Sequence, residues 1–216
     1  MKLYTYWRSS AAYRVRIGLN LKGMTYEDAY VHLVKDGGEQ LKEAYRAINP
    51  QALIPALELD DGQCLTQSLA ILEYLDEINA EAAFLPSDAV GRAHVRSLAL
   101  SIACDIHPVN NLRVLKYLSG TLKVSEDEKT EWYRHWVRTG LTALEATLTQ
   151  SDKTGRFCFG DEPGLADICL VPQVYNAKRF NVDLTPYPNI IRIEENCQSL
   201  SAFAKAAPEM QGDAVQ

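Results

Sequence analysis

No window of this chain is long and apolar enough to cross a bilayer. Its opening residues, Met1-Lys2-Leu3-Tyr4-Thr5-Tyr6-Trp7-Arg8, hold no apolar leader core. Cysteine is sparse and unpaired in pattern. Cys64, Cys104, Cys158, Cys169 and Cys197 are odd in number, and no two are spaced C-x-x-C. That argues against a disulfide framework and a thiolate-bound zinc, and for free thiols in a reducing compartment. The four histidines, His32, His94, His107 and His135, lack metal-ligand spacing, so no metal is expected. Cations are outnumbered, with 22 Lys+Arg against 28 Asp+Glu and a formal net charge of −6. A generic nucleic-acid or anionic-membrane binder is therefore not expected. The deficit is evenly spread. Residues 1–79 carry 8 basic and 11 acidic residues, and 80–216 carry 14 and 17, so neither part is a charged tail. Repeats and low-complexity tracts are missing. What remains is 216 residues of ordinary globular composition, 47% hydrophobic, read as a soluble cytoplasmic protein.

The pattern of elements changes once along the chain. Leu3 to Trp7 alternates and suits a strand. Ser9 or Ser10 caps a helix over 10–22 that Gly23 ends. Tyr26 to Leu33 is strand-like, and Glu39 to Ile48 reads as a short helix stopped by Asn49-Pro50. Ala56 to Leu59 and Cys64 to Leu65 form a hairpin around Asp60-Asp61-Gly62. Leu69, Ile71, Leu72, Leu75 and Ile78 lie on a helical face. The order is β-α-β-α-β-β-α. Residues 80–89 read as a linker. Beyond it the period is helical: Val95, Leu98, Ile102 and Ile106 form one stripe, broken at Pro108. Tyr133, Val137, Leu141, Leu144 and Leu148 form another, and Ala166 to Phe180 and Ile190 to Leu200 are two more helices. The expected domains are 1–82, α/β, and 88–216, all-helical, with 208–216 frayed.

Three places in the first domain have chemical promise. Ser9 and Ser10 stand where a strand gives way to a helix. Free N–H groups and the positive helix end there stabilise an anion such as a thiolate or phosphate; a plain helix cap uses the same residues. Ile54-Pro55 opens a strand. If that bond is cis, the Ile54 backbone can pair with an extended peptide; otherwise Pro55 is a turn residue. Gln67-Ser68 opens the Leu69 helix, either as a carboxylate site or as a cap.

Together these resemble the glutathione site of the glutathione transferase superfamily, most closely its zeta class, and the resemblance covers nearly the whole chain. It rests on Trp7-Arg8-Ser9-Ser10, Tyr13-Arg14-Val15-Arg16-Ile17, Lys35-Asp36-Gly37-Gly38 and Gln67-Ser68-Leu69-Ala70-Ile71. It continues in Gly160-Asp161-Glu162, Ala166-Asp167, Leu170-Val171-Pro172-Gln173-Val174 and Val182-Asp183-Leu184-Thr185-Pro186-Tyr187-Pro188. The resemblance implies a thioredoxin-like N-terminal domain, an all-helical C-terminal domain and a homodimer. It implies glutathione as cofactor, with Ser9 on its sulfur and Ser10 and Ala11 beside it. Ile54, before a cis Pro55, would meet the cysteinyl backbone. Gln67 and Ser68 would hold the γ-glutamyl carboxylate, and Gln40 the glycyl end. Asp105, His107 and Asn111 would close over the thiol.

The implied activity is glutathione-dependent cis–trans isomerisation of a dicarboxylate, with Ser9, Ser10 and Arg8 catalytic and Arg8, Arg113 and Arg179 on the substrate. Maleylacetoacetate, of tyrosine and phenylalanine breakdown, is the first substrate implied and maleylpyruvate the second. A general glutathione transferase or haloacid dehalogenase would use the same thiolate in displacement, and a non-catalytic scaffold would have no need of an anion site. Arg113 matches only part of the class. Two residues depart from the pattern. Ala11 replaces a Cys common in the class, which argues against thiol oxidoreduction. Gly164 replaces a Ser or Thr cap ahead of Asp167, which reads as structural.

Overall fold

The structure is a computed structural model and describes residues 1–214 of the chain. It divides into two compact units, Met1–Phe84 with the chain from Gln198 onward, and Leu85–Cys197.

The first unit is built on a four-stranded sheet of order β2-β1-β3-β4: β1 Lys2–Thr5, β2 Glu27–Tyr30, β3 Ala56–Glu58 and β4 Cys64–Thr66. β1 and β2 are parallel, and the other pairs are antiparallel. A parallel pair needs a crossover, and helix α1, Ser10–Leu21, supplies it. It ends as Gly23 promised. Gly23, at φ +63°, lets its own N–H reach Asn20 C=O and the Met24 N–H reach Leu19 C=O, the two bonds of a Schellman cap. The Glu39–Ile48 helix is instead two pieces. A 3₁₀ turn at Glu39–Leu41 and helix α2, Glu43–Arg46, are separated by Lys42 in an extended conformation, ψ 150°. Helix α3, Ser68–Ile78, completes the β-α-β-α-β-β-α order. Leu3, Val15, Ile17, Leu57, Ile71, Leu72 and Leu75 fill the core. The edge strand β2 carries Glu27 and Asp28, which discourage further pairing.

The linker is tied at its start. Lys22, buried, donates to Asp76 Oδ1 (2.8 Å), Asn79 C=O (2.6 Å) and Glu81 C=O (2.8 Å), and lies over the Phe84 ring.

The second unit is helical: α4 Ala89–Leu100, α5 Leu112–Gly120, α6 Glu126–Gln150, α7 Leu165–Arg179 and α8 Pro188–Gln198. The two predicted stripes, Val95-Leu98-Ile102-Ile106 and Tyr133-Val137-Leu141-Leu144-Leu148, are buried. Pro108 does end the first run, but the chain loosens before it. Ser101–Ile106 is a π-helix and Pro108–Asn110 a 3₁₀ turn. The Asn111 cap of helix α5 comes only three residues after Pro108, and the helix carries Arg113 on its exposed face.

The end of the chain departs from expectation. Helix α9, Ser201–Ala206, packs on α1, and Asn20 Nδ2 donates to Ala202 C=O (2.9 Å). The part assigned by sequence to the helical domain therefore groups, from Gln198 onward, with the first unit. Nor are 208–214 frayed. Pro208–Met210 is a 3₁₀ turn, Gln211 Nε2 donates to Lys205 and Ala207 C=O, and Asp213 accepts the Trp7 N–H (3.1 Å). The last two residues of the expected frayed end lie outside the described residues. No helix among the described residues is long and apolar enough to cross a membrane.

Candidate active site

The first unit brings its candidate residues together by element ends. β1 stops at Thr5, and a turn closed by Ser9 N–H to Tyr6 C=O (2.9 Å) leads into α1. Ser9 is the N-cap: its Oγ accepts the Ala12 N–H at 3.2 Å. Capping thus uses a lone pair of Ser9, and the hydroxyl proton remains to donate elsewhere. The capping and anion readings left open by the sequence share this one geometry. Ser10 is buried and Ala11 partly so. Arg8 is half-buried, its guanidinium 4.5 Å above the Trp7 ring and at the edge of hydrogen-bond reach of the Tyr6 hydroxyl (3.5 Å).

The Ile54-Pro55 bond is cis. Ile54 lies just outside β3, its side chain packed with Tyr6, Val31 and Tyr45. The preceding carbonyl, Leu53 C=O, accepts from both the Tyr45 hydroxyl (2.7 Å) and Asn49 Nδ2 (2.8 Å). Two buried side chains thereby set the backbone on which Ile54 stands. Sequence reading saw Asn49 only as a helix stop and did not single out Tyr45.

At α3 the two readings separate. Gln67 precedes the helix with φ +69°, sparsely populated backbone for a non-glycine residue. Its side chain caps nothing and donates instead to Gln51 Oε1 (2.8 Å). The first N–H groups of α3 thus lack a side-chain cap, the condition for receiving an anion. Ser68 is buried, and its Oγ accepts Arg14 Nη1 at 3.2 Å. Arg14, 2% exposed, puts a buried guanidinium at this helix end. Nothing local in Tyr13-Arg14-Val15-Arg16-Ile17 signals that role. Gln40 is buried, and its Oε1 has no hydrogen-bond partner. An orphaned acceptor in the same unit as two anion-receptive helix ends fits a polar peptide with carboxylates.

The second unit holds the remaining candidates. Asp105 is exposed near the end of the π-helix, and His107 follows it, half-buried. Asn111 caps α5, its Oδ1 accepting the Arg113 N–H (3.1 Å). Arg113 is exposed. Trp132 Nε1 donates to Val109 C=O (2.9 Å) and so pins the stretch between His107 and Asn111. Only an i, i+4 pair with Trp136 had been legible there; the two rings do meet edge to face, 5.8 Å apart. Arg179 is exposed at the end of α7, over the Phe180 ring. Burial pushes the Tyr133 hydroxyl up, and Arg179 pulls it the other way. Asp167 is structural, as read. Fully buried, it accepts Cys158 N–H and Gly164 N–H, each at 2.9 Å, and so makes the carboxylate half of a capping box whose other half Gly164, without a side chain, does not make. Burial raises its pKa against those two amides.

A β2-β1-β3-β4 sheet with a cis proline before β3 and two anion-receptive helix ends defines a thioredoxin-like unit, here followed by a helical unit. Residues 8–78 match the N-terminal domain of glutathione S-transferase and residues 131–193 its C-terminal domain. A probable maleylacetoacetate isomerase of Vibrio cholerae is 51% identical over 98% of this chain and 97% of its own. A holo maleylpyruvate isomerase, described as a bacterial zeta-class glutathione S-transferase, superposes with a TM-score of 0.96 at 50% identity, covering both chains fully. The maleylacetoacetate isomerase of Methylobacterium extorquens AM1, solved with malonate and glutathione bound, also gives 0.96, at 43% identity over both whole chains. The chain belongs to the glutathione S-transferase family, in its zeta class.

Proposed function

We propose that this chain is a glutathione-dependent cis–trans isomerase that converts maleylacetoacetate to fumarylacetoacetate in tyrosine and phenylalanine breakdown. The observation that carries this is the Ser9 hydroxyl at the N-cap of α1, its lone pair engaged by Ala12 N–H and its proton left to donate. Glutathione, when bound, supplies a thiolate that adds to the conjugated double bond, allows rotation about it and is then expelled. Ser9 donates to the sulfur, and the α1 N-terminus adds its partial positive charge; both favour the anion and lower the thiol pKa. Ser10 and Ala11 flank the sulfur. Ile54 pairs with the cysteinyl backbone, and Gln67 and Ser68, backed by Arg14, hold the γ-glutamyl carboxylate. Gln40 takes the glycyl end. Asp105, His107 and Asn111 close over the thiol. Arg8, Arg113 and Arg179 bind the substrate carboxylates, since a planar guanidinium meets a carboxylate two bonds at a time. The Methylobacterium extorquens relative was solved with both malonate and glutathione bound, which supports a dicarboxylate substrate. Working as a cytoplasmic homodimer completes the reading; five cysteines with no disulfide among them suit a reducing compartment.

Maleylpyruvate is the second reading, favoured by the 50% identity to a maleylpyruvate isomerase. The test is to offer purified protein both maleyl substrates, with and without glutathione, and follow loss of the cis-enol absorbance. Faster turnover of maleylacetoacetate that requires glutathione is expected. Turnover independent of glutathione sinks the proposal, and a clear preference for maleylpyruvate moves it to the second substrate.

A further inference from the structure

We propose that Asp213 and Arg16 are positioning residues for Ser9, the segment Pro208–Ala214 acting as a strap that fixes the Tyr6–Ser9 turn. This rests on the reading in which Ser9 donates to the glutathione thiolate. The turn lies beyond β1, so the sheet ladder does not hold it. Side chains do. The Trp7 N–H donates to Asp213 Oδ2 (3.1 Å), and the Trp7 C=O accepts Arg16 Nη2 (3.0 Å). The peptide groups on either side of Trp7 are therefore each gripped by an ionised side chain, in charge-assisted bonds. Tyr6 C=O, which closes the turn onto Ser9, is also within reach of Arg16 Nη1 (3.4 Å).

Both grips are themselves anchored. Arg16 is fully buried and bonds Thr5 Oγ1 (3.0 Å) at the end of β1 and Ala206 C=O (3.1 Å) at the end of α9. One guanidinium thus joins strand, turn and the base of the strap. Burial lowers its pKa to about 10, and Asp213, Asp28, Tyr13 and Tyr26 push the other way, so it stays charged near neutral pH. Asp213 is set by its neighbours. The Gly212 N–H meets the Tyr30 hydroxyl, and no side chain fits at Gly212 while Tyr30 stays in place, because a Cβ would come within 2.5 Å of that oxygen. Ala214 N–H donates to Gln211 C=O (3.0 Å), and Gln211 is tied back to Lys205 and Ala207. Asp213 Oδ1 is buried without a hydrogen-bond donor, and the nearby carboxylate favours the charged form of Arg16. Trp7 is two residues from Ser9. A rotation of its peptide plane moves the Ser9 hydroxyl, and small misplacements of a group on the reacting atom are costly.

The test compares Asp213→Ala and Asp213→Asn with the parent, with Ser9→Ala alongside. Three quantities are read: hydrogen exchange at the Trp7 amide, the thiol pKa of bound glutathione, and KM against kcat. Asp213→Ala is expected to speed Trp7 exchange about tenfold, the loss of one charge-assisted bond. It should raise the thiol pKa and lower kcat/KM for glutathione while KM for the maleyl substrate holds. Asp213→Asn keeps an acceptor oxygen and should recover most of both effects; it also serves if the Ala variant does not fold. Unchanged Trp7 exchange overturns the proposal. So does faster exchange with an unshifted thiol pKa, provided Ser9→Ala does shift it. If Ser9→Ala leaves the thiol pKa alone, it is the Ser9 reading that has failed, and the positioning role falls with it.

Discussion

Gly140, in the middle of α6, leaves room for Ile106. A Cβ added there would sit 2.2 Å from Ile106 Cγ1 and 2.3 Å from Cδ1, where carbon atoms in contact are about 3.5–4.0 Å apart. Ile106 would have to retreat by more than ~1 Å. It is 2% exposed and closes the π-helix that carries Asp105 and leads to His107, so it has little space to enter. Overpacking of this kind costs about 1–3 kcal/mol. Removing a glycine from a helix interior returns about 1 kcal/mol. Gly140→Ala should therefore destabilise by about 1 kcal/mol net, a fall of about 2–4 °C in Tm for a chain of this size. Ile106→Ala alone should cost about 2–5 kcal/mol by opening a cavity. In the double variant the clash disappears and the new methyl fills part of that cavity. Urea unfolding of all four proteins should show the pair coupled by about 1–3 kcal/mol in the favourable direction. An additive double variant, or a Gly140→Ala protein more stable than its parent, would refute the contact and its consequence for the Asp105–His107 stretch.

Glu128 accepts both the Ser125 N–H (2.7 Å) and the Ser125 hydroxyl (2.8 Å), and the two hold its carboxyl below the usual 4.5. A folded-state pKa below the unfolded one gives stability that is present above the unfolded value and lost as pH falls through the folded one. Glu128→Gln should flatten the decline in Tm below about pH 4.5, and an unchanged acid slope would contradict this. Asp167→Ala leaves one buried and one partly buried backbone N–H, of Cys158 and Gly164, without acceptors. Chemical denaturation should show a loss of about 2–5 kcal/mol, with kcat per folded molecule intact. Lys22→Met should cost about 3 kcal/mol by the same measurement, at the low end for a broken buried pair because Asp76 keeps some exposure. Arg14→Gln should raise KM for glutathione severalfold while the bound thiol pKa stays put; a shifted pKa would mean that Arg14 acts on Ser9 instead.

Element order along the chain and the candidate site residues are legible in this sequence to the extent that each rests on local signals. The Schellman glycine, the Asp60-Asp61-Gly62 hairpin and the Ser9 cap are properties of a few adjacent residues, and each appears where it was read. Pairings distant in sequence are not legible in this way. Leu53 C=O is held by Tyr45 and Asn49, Val109 C=O by Trp132, and the Trp7 peptide by Asp213, some two hundred residues away. Nothing in the period of any segment announces such partners. The π-helix at Ser101–Ile106 is a related case: the apolar stripe through Ile102 and Ile106 reads as regular helix, and only packing against Gly140 reveals what the looser turn accommodates.

Tyr13-Arg14-Val15-Arg16 is where pattern and structure diverge most usefully. Arginines two apart cannot share one face of a helix, so a periodic reading places at least one of them in solvent. Both are buried, because α1 is covered by α3 as well as by α9, which the sequence reading had assigned to the other domain. A buried guanidinium with no task would be costly, since desolvating a cation is offset only where hydrogen bonds and opposite charge meet it. Arg16 spends its bonds on the Tyr6–Trp7 backbone, Thr5 and Ala206, and Arg14 bonds the serine that opens α3. The two arginines thus serve the two anion-receptive helix ends separately, one by fixing the turn before Ser9 and the other by adding charge beneath Ser68. That arrangement explains how a chain of net charge −6 can hold anionic ligands. The positive potential is local: in the proposed function, helix termini and buried Arg14 serve glutathione, and Arg8, Arg113 and Arg179 serve the substrate, which a net count over the whole chain does not register.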